Sequence, residues 1–401
     1  MAPVAQTGQT SQAGRVGGTG RAGRAGVSAG LPEFPWDRLA PYARKADAHP
    51  DGRVDLSVGT PVDPTPETVR RALGAAADSP GYPTAHGTAR LRTAAAGWMR
   101  RALGVTVDPA AILPAIGSKE LVAGLPQLLG LGAGDRVLYP TPAYPTYQIG
   151  ALLAGADPVP VADELMLDPG RIDSAGAGLL WLNSPGNPHG RVLTAPVLRD
   201  LVAWARESGV VVVSDECYIT LGWEGAEPVS VLHPSVCGDS PDGVLALHSL
   251  SKRSNLAGYR AAFVAGDPAL VAELLAIRRH SGMMLPGPIQ EAMTAALDDD
   301  EHAEIQKAFY RNRRTVLRAA LEESGFRIDH SEAGLYLWTT RRVDGAAEDC
   351  WSTLEYLAGL GILAAPGEFY GPGGEHHVRL ALTATDERIH AAAARLRGAR
   401  G

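Results

Sequence analysis

The sequence has few cysteines and no long apolar run, and these shortages exclude several classes of protein. Its three cysteines, Cys217, Cys237 and Cys350, lie far apart and form no Cys-x-x-Cys pair. Neither a disulfide framework nor a zinc set is therefore expected. A sparse and odd cysteine count favours a reducing, cytoplasmic setting. No stretch reaches the roughly 18–20 apolar residues that a membrane-spanning helix needs.

The charged residues give no sign of a polyanionic partner. The 37 lysines and arginines are outnumbered by 44 acidic residues, which gives a net charge of -7. A nucleic-acid partner would need a clustered basic face, and the folded part of the sequence contains no block of basic residues. We therefore expect no nucleic-acid partner and no attachment to an acidic membrane surface.

The composition changes sharply near residue 31. Residues 1–30 are rich in Gly, Ala, Ser and Thr, which predicts a disordered tail. No apolar segment follows the arginines of this tail, so it does not indicate a secretory signal. A further hypothesis is that translation starts later, near Val27. The 401 residues leave room for one large domain and one smaller domain.

Short apolar strands alternate with helical segments through the middle of the chain. Strands are predicted at Leu179–Leu182, Val210–Ser214 and Val244–His248, and this alternation predicts an α/β fold with a mostly parallel central sheet flanked by helices. After residue 285 the pattern changes to a long helical stretch, broken near residues 298–300, and then to a few strands. We expect a tail at 1–30, an arm at 31–55 that contributes to the small domain, a large domain at 56–284 and a small α+β domain at 285–401.

Polar residues follow the predicted strands at the edge where open α/β sheets bind ligands. Asp215 comes directly after the run of valines at 210–213, and a carboxylate there is costly unless it is paired. A cationic ring nitrogen would supply that pair. Pyridoxal phosphate (PLP) needs such an acidic partner at its pyridine nitrogen. Tyr218 lies three residues further on, where its phenol could reach the ring hydroxyl.

Further segments could hold the rest of such a cofactor. Asn187, in a turn rich in Pro and Gly, can donate to the ring oxygen. Gly117, Ser118 and Lys119 open a helix after a strand, and backbone N–H groups at a helix start hold phosphate well. Arg260 would add a bidentate charge to that phosphate. Tyr144 could stack on the ring, although an ordinary core aromatic is nearly as good an interpretation.

Lys252 lies in the segment Ser249–Arg260, after the strand predicted at 244–248. Taken alone it would be a lysine in a solvated turn. Together with the motifs above, this segment resembles the fold-type I PLP enzymes, in particular the class I/II aminotransferases of the aspartate aminotransferase family. The similarity covers nearly everything from residue 31 onward. It implies a PLP-dependent transferase fold in which Lys252 carries the cofactor covalently and shuttles the substrate proton.

The same resemblance implies the other catalytic and cofactor-binding roles. Asp215 would pair with the pyridinium, and Asn187 and Tyr218 would bond the ring oxygen. The phosphate would be held by residues from two segments, namely Gly117, Ser118, Lys119, Ser249 and Arg260. Tyr82 resembles the tyrosine that reaches the partner subunit's phosphate, which implies a homodimer with shared active sites. Arg379 resembles the arginine that clamps the substrate carboxylate, with Gly59 and Asn187 beside it.

The finer assignment uses the segments around Gly59 and Lys252, and residues 31–37. They look like the actinobacterial N-succinyldiaminopimelate aminotransferases of lysine biosynthesis, for which glutamate is the donor and N-succinyl-2-amino-6-oxopimelate the acceptor. Arg253, Arg278, Arg279 and Arg341 are candidates for the extra substrate carboxylates, or are ordinary surface charges. His189 departs from the family pattern, where a small hydroxyl residue is usual. Another class I/II aminotransferase, a PLP-dependent C–S β-lyase and a non-catalytic PLP-binding regulator are the alternatives.

Overall fold

The computed structural model describes residues 27–399, which fall into two units that divide after residue 32. In the first unit the described part is a short 3-10 helix, Val27–Gly30. Residues 1–26 of the predicted disordered tail lie outside the described residues. The second unit contains the sheets and helices that follow.

A seven-stranded sheet forms the centre of the second unit, in the order β2-β8-β7-β6-β5-β3-β4. Neighbouring strands are parallel except at the two pairs that include β8. The predicted mostly parallel sheet is confirmed. The strands of the chain are β1 (Val54–Asp55), β2 (Ile112–Ile116), β3 (Arg136–Thr141), β4 (Asp157–Ala162), β5 (Ala177–Asn183), β6 (Val211–Asp215), β7 (Val244–Ser249), β8 (Ala261–Gly266), β9 (Phe326–Ile328), β10 (Tyr336–Val343), β11 (Ala346–Ala347), β12 (Ile362–Leu363), β13 (Ala365–Pro366) and β14 (Val378–Ala381).

Both faces of the large sheet are buried, which explains its continuous apolar strands. Along β6, for example, Val212 packs into one apolar cluster and Val213 into another. The helices are α1 (Ala40–Asp47), α2 (Glu67–Ala75), α3 (Ala89–Leu103), α4 (Ser118–Leu128), α5 (Thr146–Ala154), α6 (Asp163–Met166), α7 (Ala195–Ser208), α8 (Pro234–Cys237), α9 (Leu250–Arg253), α10 (Pro268–Ser281), α11 (Gly287–Asp298), α12 (Glu301–Glu323), α13 (Cys350–Gly359) and α14 (Asp386–Gly398). Among the described helices, none is long and apolar enough to cross a membrane.

A second sheet, in which every strand pair is antiparallel, joins β9, β10, β11, β13 and β14. It shares a third apolar cluster with α12, α13 and α14, and Leu39, Val54 and Leu56 from the N-terminal arm belong to that cluster. The break between α11 and α12 falls at residues 299–300, where the sequence predicts it. Helix α11 follows residue 285 but packs against α2 and α3, which belong to the predicted large domain. The domain boundary at residue 285 therefore stays a prediction.

The connections place the polar residues at one edge of the large sheet. Strands β5, β6 and β7 end at Asn183, Asp215 and Ser249, and Asn183 pairs directly with Asp215 in the register. In the second sheet, β14 pairs with β10 so that Trp338 is opposite Arg379. The loop after β1 bonds to this sheet, because the Arg379 guanidinium donates to the Ser57 carbonyl.

Candidate active site

Asp215 is a buried carboxylate with neutral hydrogen-bond donors. Its side chain ends β6 and is 6% exposed. Tyr147 Oη donates to Oδ2 at 3.0 Å, and the Cys217 backbone amide donates to Oδ1 at 3.2 Å. Burial raises the pKa of Asp215, and these hydrogen bonds oppose the rise only in part. Among the described residues no basic group forms an ion pair with it, so the carboxylate is suited to a cation from outside the chain.

Tyr147 is a site residue that the sequence analysis missed. It lies on α5, is fully buried, and stacks on Trp181 with ring centroids 5.1 Å apart. Burial holds the pKa of Tyr147 well above its usual value, so the phenol keeps its proton and remains a donor to Asp215. Tyr144, which the sequence predicts as a stacking residue, packs edge-on against Tyr147 at 5.8 Å. Burial raises the pKa of Tyr144 to about 12.

The turn after β5 is held by its own amide side chains. Asn183 Nδ2 donates to the carbonyl of Asp215 at 2.9 Å, and Asn183 Oδ1 accepts from the backbone amide of Asn187 at 2.8 Å. Asn187 Oδ1 accepts from Arg379 Nη1 at 3.0 Å. The Nδ2 group of Asn187 has no acceptor among the described residues and can donate to a ligand, which is the role that the sequence predicts for it at a ring oxygen.

Lys252 lies on α9, a single helical turn that begins directly after β7. Ser249 caps this turn, because its hydroxyl accepts from the Ser251 amide at 3.2 Å. The Tyr310 hydroxyl donates to the Lys252 carbonyl at 3.2 Å. These contacts fix the backbone on both sides of the lysine, and Lys252 as a whole is half-buried.

The start of α4 (Gly117, Ser118 and the Lys119 amide) and the Arg260 guanidinium form a corner suited to an anion, which we call the anion-binding corner. Gly117 precedes the helix with φ +74°, and a Cβ at this position would clash with the Arg260 guanidinium. Only glycine lets the guanidinium lie this close to the first amides of the helix, where negative charge is favoured. Ser118 opens α4, and the half-buried Cys217 lies close enough to Ser118 and Asp215 for both to affect the pKa of its thiol. The thiol thus connects the anion-binding corner to the buried carboxylate.

Arg379 is the charged group of the second sheet at this site. It is 4% exposed, and its guanidinium carbon lies 3.9 Å and 4.9 Å from the ring centroids of Tyr336 and Tyr370. Nη1 and Nη2 donate to neutral oxygens of Asn187 and Ser57, whereas the buried Nε has no protein partner among the described residues. No described carboxylate pairs with Arg379, so a ligand carboxylate is the natural counter-charge.

Tyr336 is a second residue that the sequence analysis missed. Its hydroxyl lies 3.2 Å from the Tyr218 hydroxyl, and a Cβ at Gly59 would clash with it. Burial opposes ionisation of Tyr336, but the charges of Arg379 and Lys252 bring the pKa of its phenol below the usual value. No motif marks Tyr336, because the contact depends on the pairing of β10 with β14 and on the approach of a third segment.

Some predicted residues lie apart from this cluster. Tyr82 is 97% exposed. The amine of Lys119 lies over the Phe34 ring, 5.8 Å from its centroid, so only the backbone of Lys119 faces the anion-binding corner at the start of α4. Three of the four arginines considered for extra carboxylates are engaged elsewhere, with Glu120, Trp98 and Glu348 as partners of Arg278, Arg253 and Arg341, respectively.

The site fits pyridoxal phosphate. The cofactor has a cationic ring nitrogen, a ring oxygen and a phosphate. The structure offers a buried carboxylate that lacks a cation at Asp215 and an anion-binding corner at Gly117 and Arg260. Lys252 lies close enough for its charge to act on the thiol of Cys217, the residue that lies near both Asp215 and Ser118.

Comparison with known proteins agrees with this fit. A sequence model of the family "Aminotransferase class I and II" matches residues 51–396. The chain belongs to this family, and it is a PLP-dependent transaminase of fold type I.

Three curated relatives extend over most of the chain. It is 58% identical over 366 residues to the 4-dedimethylamino-4-oxo-anhydrotetracycline transaminase OxyQ of Streptomyces rimosus, covering 91% of this chain and 99% of the relative. It is 57% identical over 371 residues to a probable aminotransferase of Mycobacterium tuberculosis, with 92% and 86% coverage. The LL-diaminopimelate aminotransferase of Aquifex aeolicus is 34% identical, with 86% and 90% coverage. The solved structure of an aminotransferase from Staphylococcus aureus superimposes with a TM-score of 0.83 at 27% identity, covering 94% of this chain and 98% of that one.

Proposed function

We propose that this transaminase moves an amino group from glutamate to an oxo acid, and that the acceptor is N-succinyl-2-amino-6-oxopimelate. The observation that carries the amino-acid part is Arg379, a buried guanidinium between two phenol rings with no carboxylate partner among the described residues. An α-carboxylate would meet the free Nε and the adjoining Nη group, beside Asn187 and the backbone of Gly59. This arrangement would orient the α-carbon of the substrate toward Lys252.

The residues that would hold the cofactor come from five segments. Asp215, fixed by Tyr147 and the Cys217 amide, would bind the ring nitrogen as an ion pair. Asn187 Nδ2 and the Tyr218 hydroxyl would donate to the ring oxygen. The phosphate would be bound by groups at the start of α4 and around α9, namely Gly117, Ser118, the Lys119 amide, Ser249 and Arg260. Tyr144 would pack against the ring.

Bound pyridoxal phosphate supplies an aldehyde that condenses with amines and a protonated ring that accepts electron density from the substrate α-carbon. Lys252 would hold the cofactor through its amine, and the same amine would move the proton at the substrate α-carbon. The Tyr310 and Ser249 contacts hold the lysine backbone in place during this transfer.

The acceptor assignment is supported by the resemblance around Gly59 and Lys252, and by the similarity to LL-diaminopimelate aminotransferases at 34% identity. A second acceptor class also has an observation in its favour. The Streptomyces rimosus relative, at 58% identity, is named for an oxo-anhydrotetracycline. An oxo group on a polycyclic substrate is therefore the competing proposal for this chain.

We further propose that two copies of the chain share their active sites. Tyr82, whose side chain is 97% exposed in the single chain, would reach the phosphate bound by the partner subunit. The exposure of a large phenol next to Pro83 supports this arrangement, because a solvent-facing tyrosine is free to enter another subunit. A cytoplasmic location remains part of the proposal, on the basis of the cysteine content.

The test is a comparison of acceptors with the purified, PLP-loaded enzyme and glutamate as donor. We expect 2-oxoglutarate to form with N-succinyl-2-amino-6-oxopimelate, to be lost in Lys252→Ala and to be retained in Lys45→Ala. Faster turnover with 4-dedimethylamino-4-oxo-anhydrotetracycline would replace the pimelate acceptor by the second proposal. Release of pyruvate and ammonia from cystathionine would instead indicate the C–S lyase, provided that no acceptor leads to 2-oxoglutarate formation from glutamate.

A further inference from the structure

The Tyr336 hydroxyl lies where the cofactor-binding and substrate-binding groups meet. It is 3.2 Å from the hydroxyl of Tyr218, and its ring lies 3.9 Å from the guanidinium carbon of Arg379. The backbone of Gly59 passes so close to this hydroxyl that a Cβ at Gly59 would clash with it. Tyr336 therefore contacts one group assigned to the ring oxygen and two groups assigned to the substrate carboxylate.

The number of protons that Tyr218 and Tyr336 can donate determines the direction of the hydrogen bond between them. A phenol has one proton to donate and can accept from a neighbour at the same time. If Tyr218 donates its proton to the ring oxygen, it cannot also donate to Tyr336. Tyr336 must then be the donor across the 3.2 Å contact.

The electrostatics of the pair agree with this direction. Burial holds the pKa of Tyr218 well above its usual value. The Tyr336 ring lies 3.9 Å from the guanidinium carbon of Arg379, so a fixed positive charge lies directly over this phenol. A phenol beside a positive charge is the better hydrogen-bond donor, so Tyr336 is suited to donate and Tyr218 to accept and pass on its own proton.

We propose that Tyr336 is a positioning residue with two tasks: its hydroxyl donates to Tyr218 and turns the Tyr218 proton toward the ring oxygen of the cofactor, and its ring supports Arg379. This inference rests on the proposed function, because it uses the roles given there to Tyr218 and Arg379. It also explains the glycine at position 59, since any side chain there would occupy the space of the Tyr336 hydroxyl.

The hydroxyl task is tested by the absorbance of the PLP-loaded protein as a function of pH. Donation to the ring oxygen stabilises negative charge on it and lowers the proton affinity of the linkage between Lys252 and the cofactor. Tyr218→Phe should therefore raise the pH midpoint of the visible band by about 1 pH unit. Tyr336→Phe should raise it in the same direction by about 0.3 pH unit, because it weakens the Tyr218 bond without removing it.

The double variant distinguishes the inference from its foundation. In Tyr218→Phe/Tyr336→Phe the midpoint should equal that of Tyr218→Phe, since Tyr336 acts through Tyr218. If Tyr218→Phe leaves the midpoint unchanged, the proposed cofactor role of Tyr218 is wrong. If Tyr218→Phe shifts the midpoint and Tyr336→Phe does not, or shifts it equally in both backgrounds, the hydroxyl task of Tyr336 is wrong.

The ring task has its own pair of variants. Tyr336→Phe keeps an aromatic face under Arg379 and should leave the KM for glutamate nearly unchanged. Tyr336→Leu removes that face and should raise the KM about fivefold, with a smaller change in kcat. Equal KM values for the Phe and Leu variants would overturn the ring task. The visible band of Tyr336→Leu and its pH midpoint show whether this variant still holds the cofactor.

Discussion

Asp63 and Asp215 are both carboxylates withdrawn from solvent, and they differ in the partners that the chain gives them. Asp63, with a side chain 14% exposed, receives hydrogen bonds at 2.6 and 2.7 Å from Arg313 and one at 2.8 Å from Gln306. Burial opposes its ionisation, but these contacts hold the pKa of Asp63 below the usual value. Within residues 27–399, Asp215 has only neutral donors, and burial raises its pKa.

Two buried arginines, Arg313 and Arg379, differ in the same way. Arg313 bonds both Asp63 and Asp386, whereas Arg379 has aromatic rings and neutral oxygens around it. The Asp63–Arg313 region is thus neutralised from within the chain and serves the fold. The region of Asp215 and Arg379 carries an anion and a cation that the described residues leave unmatched. A pair of unmatched charges of opposite sign, each suited to part of one ligand complex, marks the active site independently of any motif.

The largest effect is expected at Lys252, whose amine is proposed to transfer the proton. Lys252→Ala should reduce kcat about 10⁴-fold, because it removes the group that transfers the proton. The visible absorbance band of the PLP-loaded protein should disappear with it. Steady-state 2-oxoglutarate formation and the absorbance spectrum measure the two effects. Lys45→Ala, an exposed lysine on α1, is the matched control, and a Lys252→Ala protein with normal turnover would contradict the assignment.

The contrast between the two aspartates is tested by the same substitution at each. Asp215→Asn should weaken PLP binding about 100-fold, because an amide cannot balance the charge of the ring nitrogen. Asp63→Asn should leave PLP affinity within about twofold. Fluorescence titration of the cofactor-free proteins with PLP compares them. Similar losses of affinity in both variants would remove the distinction between the two regions.

In the region of the unmatched charges, the sequence alone predicts the Asp215 carboxylate but not two of the phenols that form the site. Asp215 could be found because it follows a buried strand directly, and the sheet brings the ends of β5, β6 and β7 together. Tyr147 and Tyr336 could not, because their partners Asp215 and Tyr218 lie 68 and 118 positions away. Such contacts depend on how α5 crosses the sheet and how β10 approaches it, and local patterns carry no information on either.

The arginines show the same limit. Arg253, Arg278 and Arg341 were candidates for extra substrate carboxylates on charge alone. In the structure Arg278 bonds both oxygens of Glu120 at 3.0 Å, and Arg341 pairs with Glu348 while its guanidinium lies over Tyr356. A sequence shows that an arginine is present but not whether a carboxylate from a distant segment has already neutralised it.

The next effect concerns the unmatched arginine. Arg379→Ala should raise the KM for glutamate about 100-fold while PLP remains bound, since two charge-assisted hydrogen bonds to the substrate carboxylate are lost. Single-turnover half-reactions with glutamate, followed through the visible band, separate substrate binding from cofactor binding. Arg341→Ala removes an arginine that already has a partner and should change the KM little. Unchanged half-reaction kinetics in Arg379→Ala would refute the carboxylate role.

The smallest effect is expected in stability, and here the two aspartates should move in opposite directions. Asp63→Asn should lower the free energy of unfolding by about 2–3 kcal/mol at pH 7, because Arg313 loses its better-buried partner and retains the half-exposed Asp386. Asp215→Asn should leave the stability of the cofactor-free protein unchanged or raise it, because it removes a buried charge that lacks a counter-charge.

The pH dependence of these two stability differences has opposite signs. The pKa of Asp63 is lowered in the folded state, so its contribution is complete above the unfolded value of about 3.9 and is lost as the pH falls through the lower folded value. The pKa of Asp215 is raised, so its penalty is absent at low pH and builds as the pH rises from that unfolded value through the folded one. Urea unfolding of the cofactor-free wild type and both variants between pH 3 and pH 8 would measure both trends. A common trend in the two variants would show that the chain neutralises Asp215 after all, and that its charge is not reserved for the cofactor.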